Sequence, residues 1–123
     1  MTKEQKLYKG LIKADLRIVE EHYNDSDKAL RLQAAYHMQQ AVEKMIKLKA
    51  ELQGVSLWGH DIDRLICKCD EANIDIGIPN YIRKKAIDIT QWEAECRYYP
   101  VKVVRKDTIK KIYDCVSEWM DNE

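Results

Sequence analysis

Ala34-Ala35-Tyr36-His37-Met38-Gln39-Gln40-Ala41-Val42-Glu43-Lys44-Met45-Ile46-Lys47-Leu48-Lys49-Ala50-Glu51-Leu52 decides the fold. Ala34, Met38, Ala41, Met45, Leu48 and Leu52 recur at alternating spacings of four and three. That is the period at which one face of an α-helix packs into its neighbours as a bundle seam. The helix reads from about Asp27 to Gln53, and Gly54 falls where a C-cap glycine belongs. A seam this long needs several other helices to cover it.

Those helices are legible on either side. A first helix from about Glu4 to Tyr23 carries Ile12, Leu16, Val19 and Tyr23 on one stripe, with Leu7, Leu11, Ala14 and Ile18 beside it. The two stripes together predict one wide buried face. Asn24-Asp25-Ser26-Asp27 separates it from the second helix; such residues compete with helix and cap the next one. After a short connection, Val55 to Gly59 with Trp58 in it, a third helix starts near His60 or Asp61. It presents Ile62, Leu65, Ile66 and Cys69 and fades by Asn73. Ile74 to Pro79 alternates like a strand, but the chain offers no partner strand, so an ordered loop is expected there.

The fourth helix runs from about Pro79 to Tyr98, with Ile82, Ala86, Ile89, Trp92 or Glu93, and Cys96 inward; Pro100 is expected to stop it. The fifth is expected to be capped near Asp107, with Ile109, Ile112, Tyr113, Val116, Trp119 and Met120 on one face. The resulting fold class is all-α: an antiparallel up-and-down four-helix bundle of helices one, two, four and five, with the short third helix across or beside it. Residues 1–123 read as a single domain.

Composition agrees and narrows the function. At 46% hydrophobic and 34% charged, the 123 residues suit a packed helical domain and not a disordered one. Twenty-one basic and twenty-one acidic residues cancel, so no basic surplus marks a dedicated nucleic-acid binder. Neither an apolar signal core nor a run of membrane-spanning length is present, which points to the cytoplasm and away from a membrane.

The sequence offers few reactive constellations. Cys67 and Cys69 are two residues apart, so on a helix they diverge by about 200° and cannot grip one metal ion. Cys96 lies beside Arg97 but also fits the apolar stripe of its helix, which favours a core thiol. No metal site, cofactor or catalytic residue is therefore assigned. Gln40, Glu43, Lys44 and Lys47 fall at helical spacings and form a polar strip beside the seam. By spacing alone this strip reads as a solvated face, with Glu43 and Lys47 a weak exposed pair.

Four stretches occur in an order that carries a resemblance: Ala14-Asp15-Leu16; Ala35-Tyr36-His37-Met38-Gln39-Gln40-Ala41-Val42-Glu43-Lys44 with Lys47; Gly59-His60-Asp61-Ile62; and Arg97-Tyr98-Tyr99-Pro100. Together they resemble the HEPN domain family, over about residues 5 to 120. The resemblance implies a helical bundle, in agreement with the periodicity.

Many such proteins are metal-independent ribonucleases that pair an Arg with a His four to six residues later and dimerise around a shared cleft. Arg97 stands at the corresponding place, but no histidine follows it. Tyr98 is a poor base at neutral pH, because its ordinary pKa is about 10. Arg17 to His22 and Arg31 to His37 match the spacing only on early helices and are read as coincidence.

The chain more closely resembles the compact branch that accompanies a minimal nucleotidyltransferase, in some cases as a toxin–antitoxin pair. That likeness implies a non-catalytic module, homodimeric, contacting a nucleotide or RNA, the nucleotidyltransferase partner, or both. Its pocket and surface residues would be Gln40, Glu43, Lys44, Lys47, His60, Asp61, Arg97 and Tyr98. Lys and Arg would meet phosphate, and Gln would meet a base or ribose. Other roles stay open: His60 and Asp61 as caps of the third helix, and Arg97 as a cation at a helix C-terminus. The alternatives are a ribonuclease built on Arg97 with an unrecognised base, and a bundle with no small ligand.

Overall fold

The computed structural model describes residues 1–98 and 104–121, except for the side chains of Ala94, Glu95, Arg97 and Tyr98. Pro100, expected to stop the fourth helix, lies outside them. Five helices follow in order: α1 (Lys3–His22), α2 (Lys28–Leu52), α3 (Ile62–Glu71), α4 (Asn80–Tyr98) and α5 (Lys106–Asp121). No strand occurs among the described residues, so 74–79 is the ordered loop expected.

The helix ends are fixed by their own residues. Thr2 caps α1 in a reciprocal box: its hydroxyl accepts from the Gln5 amide, while the Gln5 side chain accepts from the Thr2 amide. Asp27 caps α2 and Asp61 caps α3 through their carboxylates. α2 and α3 both end in a Schellman turn. At the first, the Val55 amide reaches Ala50 and Gly54 takes a φ of +80°. At the second, the Ile74 amide reaches Cys69 and Asn73 takes a φ of +54°. Asparagine is the side chain that tolerates this left-handed position best after glycine. α5 starts one residue earlier than its expected cap. Arg105 supplies the first accepting carbonyl, and Asp107 lies in the first turn, where a carboxylate meets the positive end of the helix dipole.

α2 is the axis of the molecule. α1, α3, α4 and α5 all pack on it, α1 most extensively. α1 also meets α5, and α5 meets α4, which closes a four-helix ring with α3 lodged against α2 and α4. Cross-helix contacts set the directions. Gln5 of α1 lies near Glu51 of α2, whereas Asp15 lies near His37 and Lys44, so α1 and α2 are antiparallel. Arg83 pairs with Asp70 at one end of α3, and Thr90 receives the Ile62 amide at the other, so α3 and α4 are antiparallel. The Trp119 indole donates to the Ile76 carbonyl at 2.9 Å and ties the 74–79 loop to α5.

Two expectations about burial need correction. The Leu7, Leu11, Ala14 stripe of α1 faces outward, with Leu7 65% and Leu11 54% exposed; only the Ile12, Leu16, Val19 stripe enters the core. Among the described elements only α2 and α5 cover α1, which gives it neighbours for one stripe and not two. Leu52, expected at the end of the seam, is 42% exposed because it sits on the last turn, beyond the packed part of α2.

Between Tyr36 and Ala50, by contrast, no residue of α2 is exposed. The sequence marks one seam, but the helix is enclosed on every side. Met45→Ala should therefore cost about 2–5 kcal/mol. Ile87→Ala, at an exposed position of α4, should stay within about 0.5 kcal/mol. Urea denaturation of the two variants beside the parent chain checks both.

Candidate functional site

Because α2 is enclosed, its polar residues must find partners inside the protein. Asp15 of α1 and Gln39 and Glu43 of α2 are the buried polar side chains of the described core. Two carboxylate-centred clusters result. In the first, Asp15 Oδ1 is 2.9 Å from His37 Nδ1, and Oδ2 accepts from the Lys44 ammonium at 2.5 Å. In the second, Glu43 accepts from Gln39 Nε2 at 3.1 Å and from the Lys47 ammonium at 3.1 Å. His60 Nδ1 lies 3.2 Å from both Glu43 oxygens. Gln40 joins by donating to the Gln39 carbonyl oxygen at 2.7 Å.

The polar strip read from the sequence is thus real, but it is not a solvated face. Glu43 is only 5% exposed, so its contact with Lys47 is no loose surface pair. Packing by α1 on one side and the α2–α3 connection on the other covers it. That connection turns back along α2: Val55 is bonded to Ala50 at the end of the helix, and five residues later His60 has reached Glu43. The return path projects Trp58 into solvent, 79% exposed, while its carbonyl accepts from Lys68 of α3 at 3.0 Å. The His60 side chain is itself 67% exposed. A neutral ring that donates from Nδ1 to the carboxylate would leave Nε2 as an acceptor.

The structure therefore brings together Gln40, Glu43, Lys47 and His60, and it joins Lys44 to the neighbouring Asp15 cluster. Asp61 stands apart as the cap of α3, its carboxylate accepting from the Arg64 amide at 3.2 Å. The side chains of Arg97 and Tyr98 lie outside the described residues. The α4 backbone carries both positions about two turns beyond Thr90, the residue that meets the start of α3. The early Arg–His spacings do not form pairs: Arg17 binds Glu21, His22 binds Asp25, and Arg31 binds the carbonyls of Asp25 and Ser26.

Reading the sequence did not single out Tyr8, Asp15, His37 or Trp58 as site residues. Tyr8 of α1 is half-buried among carboxylates. Burial first, then the charges of Glu43, Glu51 and Asp15, push its phenol up to about 12. Asp15 and His37 pair across helices, a relation that spacing within one helix does not reveal. Trp58 had a signal, a large aromatic in a short connection, but no periodic partner to interpret it.

The thiols are not part of either cluster. Cys67 is exposed and Cys69 buried, as their opposed helical directions require, and burial raises the Cys69 thiol above its ordinary value. No group of three metal-ligating side chains occurs among the described residues. Nor is any described helix long and apolar enough to cross a membrane. An open groove of about 700 Å³ lies between the end of α2, the 74–79 loop and α5 and is lined by none of the expected site residues.

Two outcomes follow. Glu43→Ala leaves the fully buried Gln39 amide unsatisfied and should cost about 1–3 kcal/mol. Lys47→Ala leaves Glu43 its other donors and should cost less than about 1 kcal/mol in the same denaturation experiment. Tyr8 gives a pH signature. The folded state holds the phenol protonated to about 12, whereas the unfolded phenol ionises near 10.0. The folded state thus binds more protons between those values, so this contribution is complete below pH 10 and is lost as pH rises toward 12. Tyr8→Phe should flatten that alkaline decline; an unchanged slope would show that Tyr8 does not cause it.

Comparison with known proteins returns no match among curated proteins and none among solved structures. A family model does match, the HEPN domain, over residues 11–121. This span takes in both carboxylate clusters and every helix but the first turns of α1. With nearly the whole bundle matched, the chain belongs to the HEPN domain family.

Proposed function

We propose that this chain is a HEPN module that works by association and carries out no chemistry of its own. In this reading it forms a homodimer, and its α2–α3 connection meets a nucleotide and a partner minimal nucleotidyltransferase, in a pairing of the toxin–antitoxin kind. The observation that carries the reading is an exposed Trp58 and an exposed His60 on one short connection, with His60 held by a buried carboxylate. An exposed indole is a stacking surface for a base or an anchor for a protein partner. The outward edge of His60 supplies a directional hydrogen bond beside it.

The charges refine the proposal. The ammonium groups of Lys44 and Lys47 are committed to Asp15 and Glu43. They are poorly placed to supply net positive charge to a phosphate. Arg97, carried by α4 toward the same end of α3, is the candidate cation for that role.

One observation favours the ribonuclease as a second reading. A histidine whose Nδ1 faces a buried carboxylate is oriented as a general base, and His60 has that arrangement with Glu43. His60 would then be the base that the residues after Arg97 do not provide.

Thermal unfolding with a nucleotide panel tests the first reading in the parent chain, Trp58→Ala and Arg97→Ala. A nucleotide at a hundred times its Kd should add about 2.7 kcal/mol of stability, and Trp58→Ala should abolish the shift. No shift with any nucleotide removes that ligand and leaves the protein partner alone. RNA cleavage that disappears in both His60→Ala and Arg97→Ala would overturn the association reading in favour of the ribonuclease.

A further inference from the structure

Lys3, Lys6, Lys13 and Arg17 follow one another along a single flank of α1, within about 80° of its circumference and over about 21 Å of its length. All four are exposed. At helical spacings they meet their own kind: Lys9 stands three after Lys6 and four before Lys13, and Arg17 stands four after Lys13. Like charges so placed destabilise a helix. The nearby acids do not relieve them. Glu21 is 3.3 Å from Arg17, and Glu20 accepts from the Tyr113 hydroxyl of α5. Among the described residues Lys3, Lys6 and Lys13 have no ion-pair partner.

Beside this flank runs the outward stripe of Leu7, Leu11, Ala14 and Ile18, exposed except for the half-buried Ile18. Gly10 lies between the stripe and the lysines, and a side chain built there would meet nothing within 4 Å. Small residues at 10 and 14 let another helix approach closely, since side-chain size at the contact sets the distance between axes. The second flank of the stripe is different. It carries Glu4 and His22, and then turns into α2 at Asp15. The face is thus apolar along its middle and basic along one edge only.

That asymmetry selects the occupant. An anionic bilayer would meet Glu4 on the second flank as closely as the lysines on the first. A helix can set carboxylates along one edge of its apolar stripe and leave the other edge neutral. We infer that the outward face of α1 docks an amphipathic helix of a partner protein, with acidic residues along the edge that meets Lys3, Lys6 and Lys13. Apolar anchors at helical spacing supply the contact area, and the charge pattern supplies orientation and encounter rate. This goes beyond the function proposed above, which puts ligand and partner at the α2–α3 connection. The basic flank lies on the α5 side of α1, whereas Glu43 and His60 belong to the side of α2.

Fluorescence anisotropy of the full chain with labelled synthetic helices about five turns long tests it. One peptide carries a leucine stripe with glutamates along one edge; the second has lysines in place of those glutamates. The acidic peptide should bind, more weakly as salt rises, and the basic peptide should bind about tenfold more weakly or worse. Leu11→Asp should weaken the acidic peptide about tenfold or more. Lys6→Glu combined with Lys13→Glu should reverse the preference between the two peptides. Far-UV circular dichroism controls for folding; if Leu11→Asp proves misfolded, the charge reversal decides alone. No binding of the acidic peptide overturns the inference. So does equal binding of both peptides, or binding that Leu11→Asp leaves unchanged. Co-sedimentation with phosphatidylserine vesicles that Leu11→Asp abolishes, without peptide binding, overturns it in favour of a lipid surface. Nucleotide-induced melting shifts should be the same in Leu11→Asp as in the parent chain, so failure at one site is read apart from failure at the other.

Discussion

Enclosure of α2 is the constraint on which the rest of the structure depends. A helix with no exposed residue along four turns buries most of the side chains it carries, and among those it buries are Gln39 and Glu43. A buried carboxylate without partners would cost far more than the fold can spare. Glu43 is therefore surrounded by donors from its own helix and by His60 from the connection that follows. The polar requirement of the core thus dictates where the α2–α3 connection runs. That path, in turn, leaves Trp58 and the outer edge of His60 in solvent.

The Asp15 cluster follows the same logic on the neighbouring face of α2. Asp15 is buried by α2 and satisfied by His37 and Lys44 from it. The pairing ties the register of α1 against α2, because Asp15 lies between His37 and Lys44 along α2 and bonds both. Tyr8 lies within reach of both carboxylates, and their combined charge adds to burial in holding its phenol neutral.

Periodicity carried most of the fold. The inward faces of α3, α4 and α5 are those that the spacings of Ile62 to Cys69, Ile82 to Cys96 and Ile109 to Met120 indicate. Periodicity reports that a residue is apolar at a helical spacing and says nothing about how many neighbours the helix will have. For that reason the Leu7 stripe of α1 was expected inside and Glu43 outside, and both are the reverse. Ala35, Val42, Ile46 and Ala50, apolar residues outside the seam of α2, were the available sign that this helix is enclosed. The candidate site was legible in part. Gln40, Glu43, Lys47 and His60 do converge, whereas Asp61 serves as a cap. Trp58 and the Asp15–His37 pair depend on how a loop returns and how two helices meet, which no spacing within one helix encodes.

The central claim is that Glu43 holds the α2–α3 connection in place through His60, and proton–nitrogen correlation NMR of the His60 ring tests it most directly. The neutral ring should carry its proton on Nδ1, hydrogen-bonded to Glu43, and backbone relaxation of residues 57–60 should match that of the neighbouring helices. Glu43→Ala should abolish both. A His60 ring that carries its proton mainly on Nε2 in the parent chain, on a connection as mobile with Glu43 as without it, would contradict the account.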